Sequence, residues 1–398
     1  MASKSLRGAA QGQASKQKSR ANTHDPIPEH EKDPYKTIEQ VPQSILSKVE
    51  REGKVYARKT IMYTTGSDHE KTLRHIQRQF KILRRLKHKH IIEVVDMYFF
   101  QNQLYLVMAQ VANENMKEFL ERVDGMSDGD ERNSLRRKMQ MWPGCLIQAI
   151  DYLHYVEVKH KDLKPANILI MGDQVLIADF GFSQDLVDAE TTASVNDAER
   201  GGTSIYSAPD RERSRTIDIF ALGCIFLEIA TILVAPQGSL AQFAKHRETQ
   251  GSGEYRGSPQ NLLRWIWYLI CLWRQYNLTH EKTEIGDNNF TIDGIAVSDL
   301  AFLMLDPDPK KRITSRQLVA LLSIATSDLP YRESIKKKAC PSCREGVYVD
   351  VANLPLHSDY RDSEDLKYPK HPEDALTTKS LPDWESAKKE WLLEHMWW

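Results

Sequence analysis

The sequence predicts an α+β protein of two lobes, a small β-rich lobe followed by a larger, mainly helical one. Three observations predict it. Short, β-branched alternating segments fill the region before residue 112. From about residue 113 the apolar residues recur at helical spacing instead. Within that second region "DIFALGCIFLEIATILV" (218–234) is apolar nearly all round, as a central buried helix must be. The implied boundaries are a basic tail over 1–33, a small lobe over 34–112, a large lobe over 113–330 and a polar tail over 331–398.

The elements follow in order. Residues 1–33 lack apolar periodicity, and the first twenty hold five basic residues and no acid, which reads as a solvated tail. "SILSKV" and "KVYARKTIMY" alternate as strands. "KTLRHIQRQFKILRRL" places Leu73, Ile76, Phe80 and Leu83 on one helical stripe. "IIEVVDMYFF" and "QLYLVMAQV" read as a strand pair joined through Gln101, Asn102 and Gln103. "MKEFLERV" and "LIQAIDYLHYV" read as helices. "LLRWIWYLICLW" (262–273) is apolar but short and carries Arg264, so a buried helix is expected rather than a membrane span.

Composition bounds the chemistry. The chain has 398 residues, 41% hydrophobic and 27% charged, enough for a sizeable core. A formal net charge of −1 argues against nucleic-acid binding by the molecule as a whole. Five scattered cysteines and an N-terminus without an apolar run fit a reducing compartment, cytoplasmic or nuclear, with no membrane anchor.

The chemistry-bearing stretch is "HKDLKPANILI" (160–170), with His160, Asp162, Leu163, Lys164 and Asn167 at fixed offsets. "ADFG" follows, its Asp179 twelve residues after Asn167; "GGTSIYSAPD" lies further on, and "VYARK", ending at Lys59, comes before both. In this order and spacing the blocks resemble the catalytic loop, metal-binding segment, activation segment and lysine strand of eukaryotic protein kinases of the serine/threonine type. The resemblance covers roughly residues 37–330 and implies a two-lobed protein kinase fold.

It also implies roles. Asp162 would orient a protein hydroxyl and take its proton, and Lys164 would reach the γ-phosphate of ATP. Asn167 and Asp179 would hold Mg²⁺, a hard cation that prefers oxygen ligands. Lys59 would hold the α- and β-phosphates. Met108 would back the adenine pocket, or serve as core packing alone. The backbone of Ala109, Gln110 and Val111 would hydrogen-bond the base. His160 and Phe180, with Leu83 and Val94, would form an apolar column between the lobes. Asp218 would hold the catalytic-loop backbone, and Arg312 would pair with the acid that ends the activation segment.

Four departures stand against the pattern. No glycine precedes Gly53 where the family has a Gly-rich turn, and Ser44 falls near its last position. Gln79 stands where a Glu should pair with Lys59, and supplies no charge. Lys161 replaces Arg, losing the planar fork that grips a phosphorylated loop at Thr191, Thr192, Ser194, Thr203 or Ser204. Asp210 replaces Glu. Two readings therefore stay open: an ATP-dependent protein kinase, or a pseudokinase that keeps the fold as a scaffold or allosteric partner.

The C-terminal region adds two features. Cys340 and Cys343 have the spacing of half a zinc site, with His357 and His371 the nearby candidates to complete it, or are plain loop cysteines. "DWESAKKEWLLEHMWW" sets Trp384, Trp391, Leu392 and Leu393 on an amphipathic helix able to dock on the chain's own body or on a regulatory partner.

Overall fold

The computed structural model describes residues 27–40, 45–61, 69–180, 184–185, 204–209, 214–248, 252–279, 289–323, 372–377, 384 and 386–387. The small lobe runs β1 (Lys36–Gln40), β2 (Leu46–Arg51), β3 (Lys54–Ile61), α1 (His69–Arg85), β4 (Val94–Phe100) and β5 (Gln103–Met108). Its five strands form one antiparallel sheet in the order β1-β2-β3-β5-β4. Both tight hairpins turn on paired positive-φ residues, Glu52 (55°) with Gly53 (74°), and Gln101 (49°) with Asn102 (59°). That geometry matches the strand twist and fixes the register.

Strand alternation sends successive side chains to opposite faces. One face buries Val94 and Met108 in the main core, which also takes in Leu83 of α1. The other carries a second, smaller core of Tyr35, Val49, Tyr98, Tyr105 and Val107. Residues 27–35 strap across this second face. Phe99 donates its N–H to the carbonyl of Pro28 at 2.9 Å, and His30 donates to the carbonyl of Phe99 at 3.0 Å. At the centre lies Arg58, only 6% exposed. Its guanidinium meets the Asp33 carboxylate at 2.5 Å, the Ser47 hydroxyl at 3.1 Å and the Thr37 hydroxyl at 2.8 Å, and stacks over the Tyr105 ring at 4.5 Å. Removing one partner of a buried pair leaves the other uncompensated, so Arg58→Met is expected to cost about 3 kcal/mol. Urea unfolding measures this, and Asp33→Asn, which leaves the Arg58 bonds to Ser47 and Thr37 and its stacking on Tyr105 in place, should cost less.

The large lobe continues with β6 (Glu114–Asn115), α2 (Met116–Asp124), α3 (Asp130–Met139), α4 (Trp142–Tyr155), β7 (Val158–Lys159), β8 (Ile168–Met171), β9 (Gln174–Ile177) and β10 (Gln184–Asp185). After these come α5 (Thr216–Val234), α6 (Ser239–Arg247), α7 (Pro259–Thr279), α8 (Asn289–Met304), α9 (Ser315–Ser323) and α10 (Pro372–Thr377). The connection between lobes is tied down where Asn113 donates its N–H to the Ile170 carbonyl on β8 at 3.1 Å. Asn115 starts α2 with reciprocal bonds to Glu118, its side chain accepting at 3.1 Å and its N–H donating at 3.0 Å.

Helix α5 is the axis of this lobe and is buried over 89% of its apolar stretch. It is the one helix among the described residues long and apolar enough to cross a bilayer, and here it is core. Helix α8 closes on it at Gly223, where a Cβ would stand 2.8 Å from the Met304 Cβ. The α5 C-terminus is capped by cations: Arg136 donates to the carbonyls of Ile232 and Ala235, each at 2.8 Å.

The C-terminal region returns to this lobe. The Trp384 ring packs 5.0 Å from Phe302 of α8, and Trp384 and Ala387 are buried. For these residues the docking surface is the chain's own body. Trp391, Leu392, Leu393, Cys340, Cys343, His357 and His371 lie outside the described residues.

Candidate active site

The catalytic-loop stretch leaves β7 and is held by one carboxylate from the core. Asp218, in the first turn of α5, is 1% exposed. It accepts the N–H of His160 at 2.9 Å and of Lys161 at 2.8 Å. It also takes a hydrogen bond from the Nε2 of His154 at 3.1 Å. Burial alone would push the Asp218 carboxyl up, but the His154 hydrogen bond, nearby imidazoles and the Lys161 N–H outweigh it and hold the group below its ordinary value. Those bonds let Lys161 keep a left-handed φ of 68°, a costly conformation for a side chain of that size.

His160 joins this loop to the segment carrying Asp179. Its Nδ1 accepts the Asp162 N–H at 3.3 Å while its Nε2 lies 2.9 Å from the Ala178 carbonyl. One ring nitrogen accepts and the other donates, as a neutral imidazole does. Burial pushes its pKa down, which keeps it in that form. The Ala178 N–H in turn donates to the Asn167 carbonyl at 2.9 Å. The Phe180 ring sits 4.8 Å from His160, which brings together the two lower members of the expected column, and Leu83, Val94 and Phe180 are all buried in the main core.

Asp162 is the focus of the loop, its side chain 13% exposed. Lys164 Nζ lies 2.8 Å from Asp162 Oδ2. The Asn167 amide nitrogen donates to the Asp162 carbonyl at 2.8 Å and to Oδ2 at 3.0 Å. That commits the nitrogen of Asn167 and leaves its oxygen as the atom able to meet a cation. A carboxylate so oriented can align a hydroxyl and accept its proton.

Lys59 is brought to the same place from the small lobe. It sits on β3 in register with Leu46 and Leu106, one residue from Arg58 and on the opposite face. Its ammonium lies 3.0 Å from Asp179 Oδ1, and Asp179 has a left-handed φ of 58°. This partner was missed in the sequence, which pointed to Gln79; that residue is on α1, but its side chain lies outside the described residues. The pair was nonetheless findable: α1 has a single carboxylate, Glu70 in its first turn, so no acid further along the helix can serve Lys59.

Met108 ends β5 opposite Ala57 and Val94, 8% exposed, with core packing on one side and the lobe connection on the other. Ala109 donates its N–H to the Glu93 carbonyl at 2.9 Å, so only its carbonyl is left to offer a ligand. The Gln110 side chain accepts the Glu93 N–H at 3.0 Å, and Val111 is half-buried beside it. Arg312 donates to the carbonyls of Asp306 at 2.8 Å and Thr216 at 3.0 Å. Its expected partner Asp210 lies outside the described residues, as do Ser44, Gly181, Thr191, Thr192, Ser194 and Thr203. The side chain of Ser204 is outside them too.

The donor set suits one kind of metal. Among the described residues no group of three or more His, Cys, Asp or Glu is gathered. One carboxylate and one amide oxygen suit Mg²⁺, which keeps water and substrate phosphates in its shell, and would not by themselves hold Zn²⁺.

Comparison with known proteins agrees with this geometry. A protein kinase domain profile matches residues 43–321. The chain is 33% identical over 183 residues to the serine/threonine-protein kinase TIO of Arabidopsis thaliana, covering 44% of this chain and 13% of that protein. It is 30% identical over 166 residues to serine/threonine-protein kinase 36 of Pongo abelii, covering 40% and 12%. It is 28% identical over 280 residues to cyclin-dependent kinase E-1 of Arabidopsis thaliana, covering 65% and 58%. The chain thus spans less than two thirds of each of these relatives. With the profile match extending over more than half of its length, and Asp162, Lys59 and Asp179 brought together as described, the chain belongs to the protein kinase family.

Proposed function

We propose that the chain is an active serine/threonine protein kinase, moving the γ-phosphate of ATP to a protein hydroxyl. The observation that carries this is the Asp162 carboxylate, held between Lys164 at 2.8 Å and Asn167 at 3.0 Å in a loop fixed from the core. Phosphoryl transfer asks mainly for positioning and charge neutralisation. In this reading Asp162 aligns the acceptor hydroxyl and takes its proton. Lys164 leans from Asp162 towards the transferred group and neutralises its growing charge. Asp179 and Asn167 hold Mg²⁺, which when bound screens the phosphates. Lys59 steadies the α- and β-phosphates, and the carbonyl of Ala109 and the backbone of Gln110 and Val111 hold the base against Met108.

A second reading, a scaffold that keeps the fold, is favoured by one feature. The connection from β1 to β2 is "VPQSI", with no glycine and with Pro42, which has no N–H to give a phosphate. Two measurements separate the readings. Millimolar Mg·ATP should raise the melting temperature, since a ligand at a hundredfold excess over its dissociation constant adds about 2.7 kcal/mol to the folded state. Radiolabel from γ-labelled ATP should reach a general acceptor protein such as myelin basic protein or casein, and Asp179→Asn should remove both signals. A melting temperature unmoved by Mg·ATP, with no label transferred, leaves the scaffold reading.

A further inference from the structure

The pairing of Lys59 with Asp179 bears on how a metal enters. Lys59 Nζ stands 3.0 Å from Asp179 Oδ1, and the two side chains are 23% and 43% exposed. An ion pair this open to water contributes little to stability. Its effect on a third charge is larger, because the ammonium lies against one of the two oxygens that a cation would use. Helix α1, which packs on β4 of the same sheet, has no carboxylate from Lys71 to Arg85 to draw the ammonium away, while Lys71, Arg74, Arg78, Lys81, Arg84 and Arg85 add positive charge. The second donor, Asn167, brings an uncharged oxygen, its nitrogen being committed to Asp162.

From this we infer that Lys59 guards the metal position: in the nucleotide-free protein its ammonium occupies the Asp179 carboxylate, so that a divalent cation binds well only when phosphate draws Lys59 away. The inference rests on the proposed assignment of Asp179 as a metal ligand. Phosphate is the group that can release the guard. It offers Lys59 several anionic oxygens and offers the cation the ligands that the protein lacks. Metal and nucleotide affinities are then coupled through one side chain, and by linkage the coupling runs equally in both directions.

The probe is Mn²⁺, followed by its electron paramagnetic resonance signal with full-length protein and no nucleotide. Wild type should bind Mn²⁺ weakly. Lys59→Gln and Lys59→Met each remove a positive charge a few ångströms from the dication, and each should tighten Mn²⁺ binding about tenfold. Asp179→Asn should abolish saturable binding in every background. Far-UV circular dichroism melts establish that the variants are folded; of two substitutions so different in polarity, one folded variant suffices. Mn²⁺ binding that is unchanged or weaker in the folded Lys59 variants overturns the inference, as does saturable binding that survives Asp179→Asn or is absent throughout. Tighter Mn²⁺ binding without any label transfer from ATP would uphold the guard while refuting the kinase reading. Label transfer with Mn²⁺ binding indifferent to Lys59 would do the reverse.

Discussion

Asp162→Asn is expected to lower phosphoryl transfer by about 10²- to 10⁴-fold, the range lost with a positioned general base, while the melting temperature moves little. Asn keeps the volume of Asp, and the Asn167 amide still has the residue 162 main-chain carbonyl to bond, a contact of 2.8 Å that does not involve the replaced oxygen. Asp218 continues to hold the loop through the N–H groups of His160 and Lys161. What is lost is the negative charge that Lys164 faces at 2.8 Å and, in the proposed reading, the basic oxygen that takes the proton. Single-turnover transfer to a protein acceptor, set beside thermal unfolding, measures both parts. Wild-type transfer rates in the Asn variant would show that Asp162 is not the proton acceptor. A Lys164→Ala control should weaken transfer less, because in the proposed reading Lys164 neutralises charge and does not accept the proton.

Much of this site was legible in the sequence because its residues come in short, rigidly spaced runs. His160, Asp162, Lys164 and Asn167 share one loop, and the distances among them are set by local geometry. The two-face logic of β3 was legible as well, since alternation alone puts Lys59 and Arg58 on opposite sides. What Arg58 meets was not. Asp33 and Tyr98 lie 25 and 40 residues away in sequence from it, and no spacing rule links a strap before the sheet to a strand inside it. The same holds for His154. It bridges Asp218 to Ser315, which donates to Asp151 at 3.0 Å, across a separation of 161 residues between His154 and Ser315. Pairings between distant segments are fixed by packing and leave no periodic trace. Lys59 shows a third case. The family pattern pointed it towards Gln79 of α1, whose side chain lies outside the described residues, and the structure sets it 3.0 Å from Asp179.

Asp218→Asn is expected to destabilise the protein by about 3–5 kcal/mol, as breaking a buried charged network does, and to slow phosphoryl transfer through the loop it holds. Every oxygen of this carboxylate is used. Oδ1 accepts from Lys161, and Oδ2 accepts from both His160 and His154. An amide has one oxygen, so its NH₂ must face at least one N–H donor, and an orphaned buried donor costs about 1–3 kcal/mol. The freed Lys161 would also relax from its φ of 68°, moving Asp162. The pH dependence distinguishes this account from a general loss of packing. Asp218 is held below its ordinary value of 3.8, so its contribution is complete above that pH and is lost as pH falls through the lower folded value. His160 is also depressed, from 6.5, so protonation begins to oppose folding below that pH, where the unfolded chain takes up the proton more readily. Wild-type stability should therefore fall in two stages on acidification, a first below about pH 6.5 and a second below about pH 4. Urea midpoints measured from pH 7 to pH 3 should show both stages in wild type and only the first in Asp218→Asn. A second stage of equal size in the variant would mean that other carboxylates carry the acid sensitivity and that Asp218 is not the anchor of the loop.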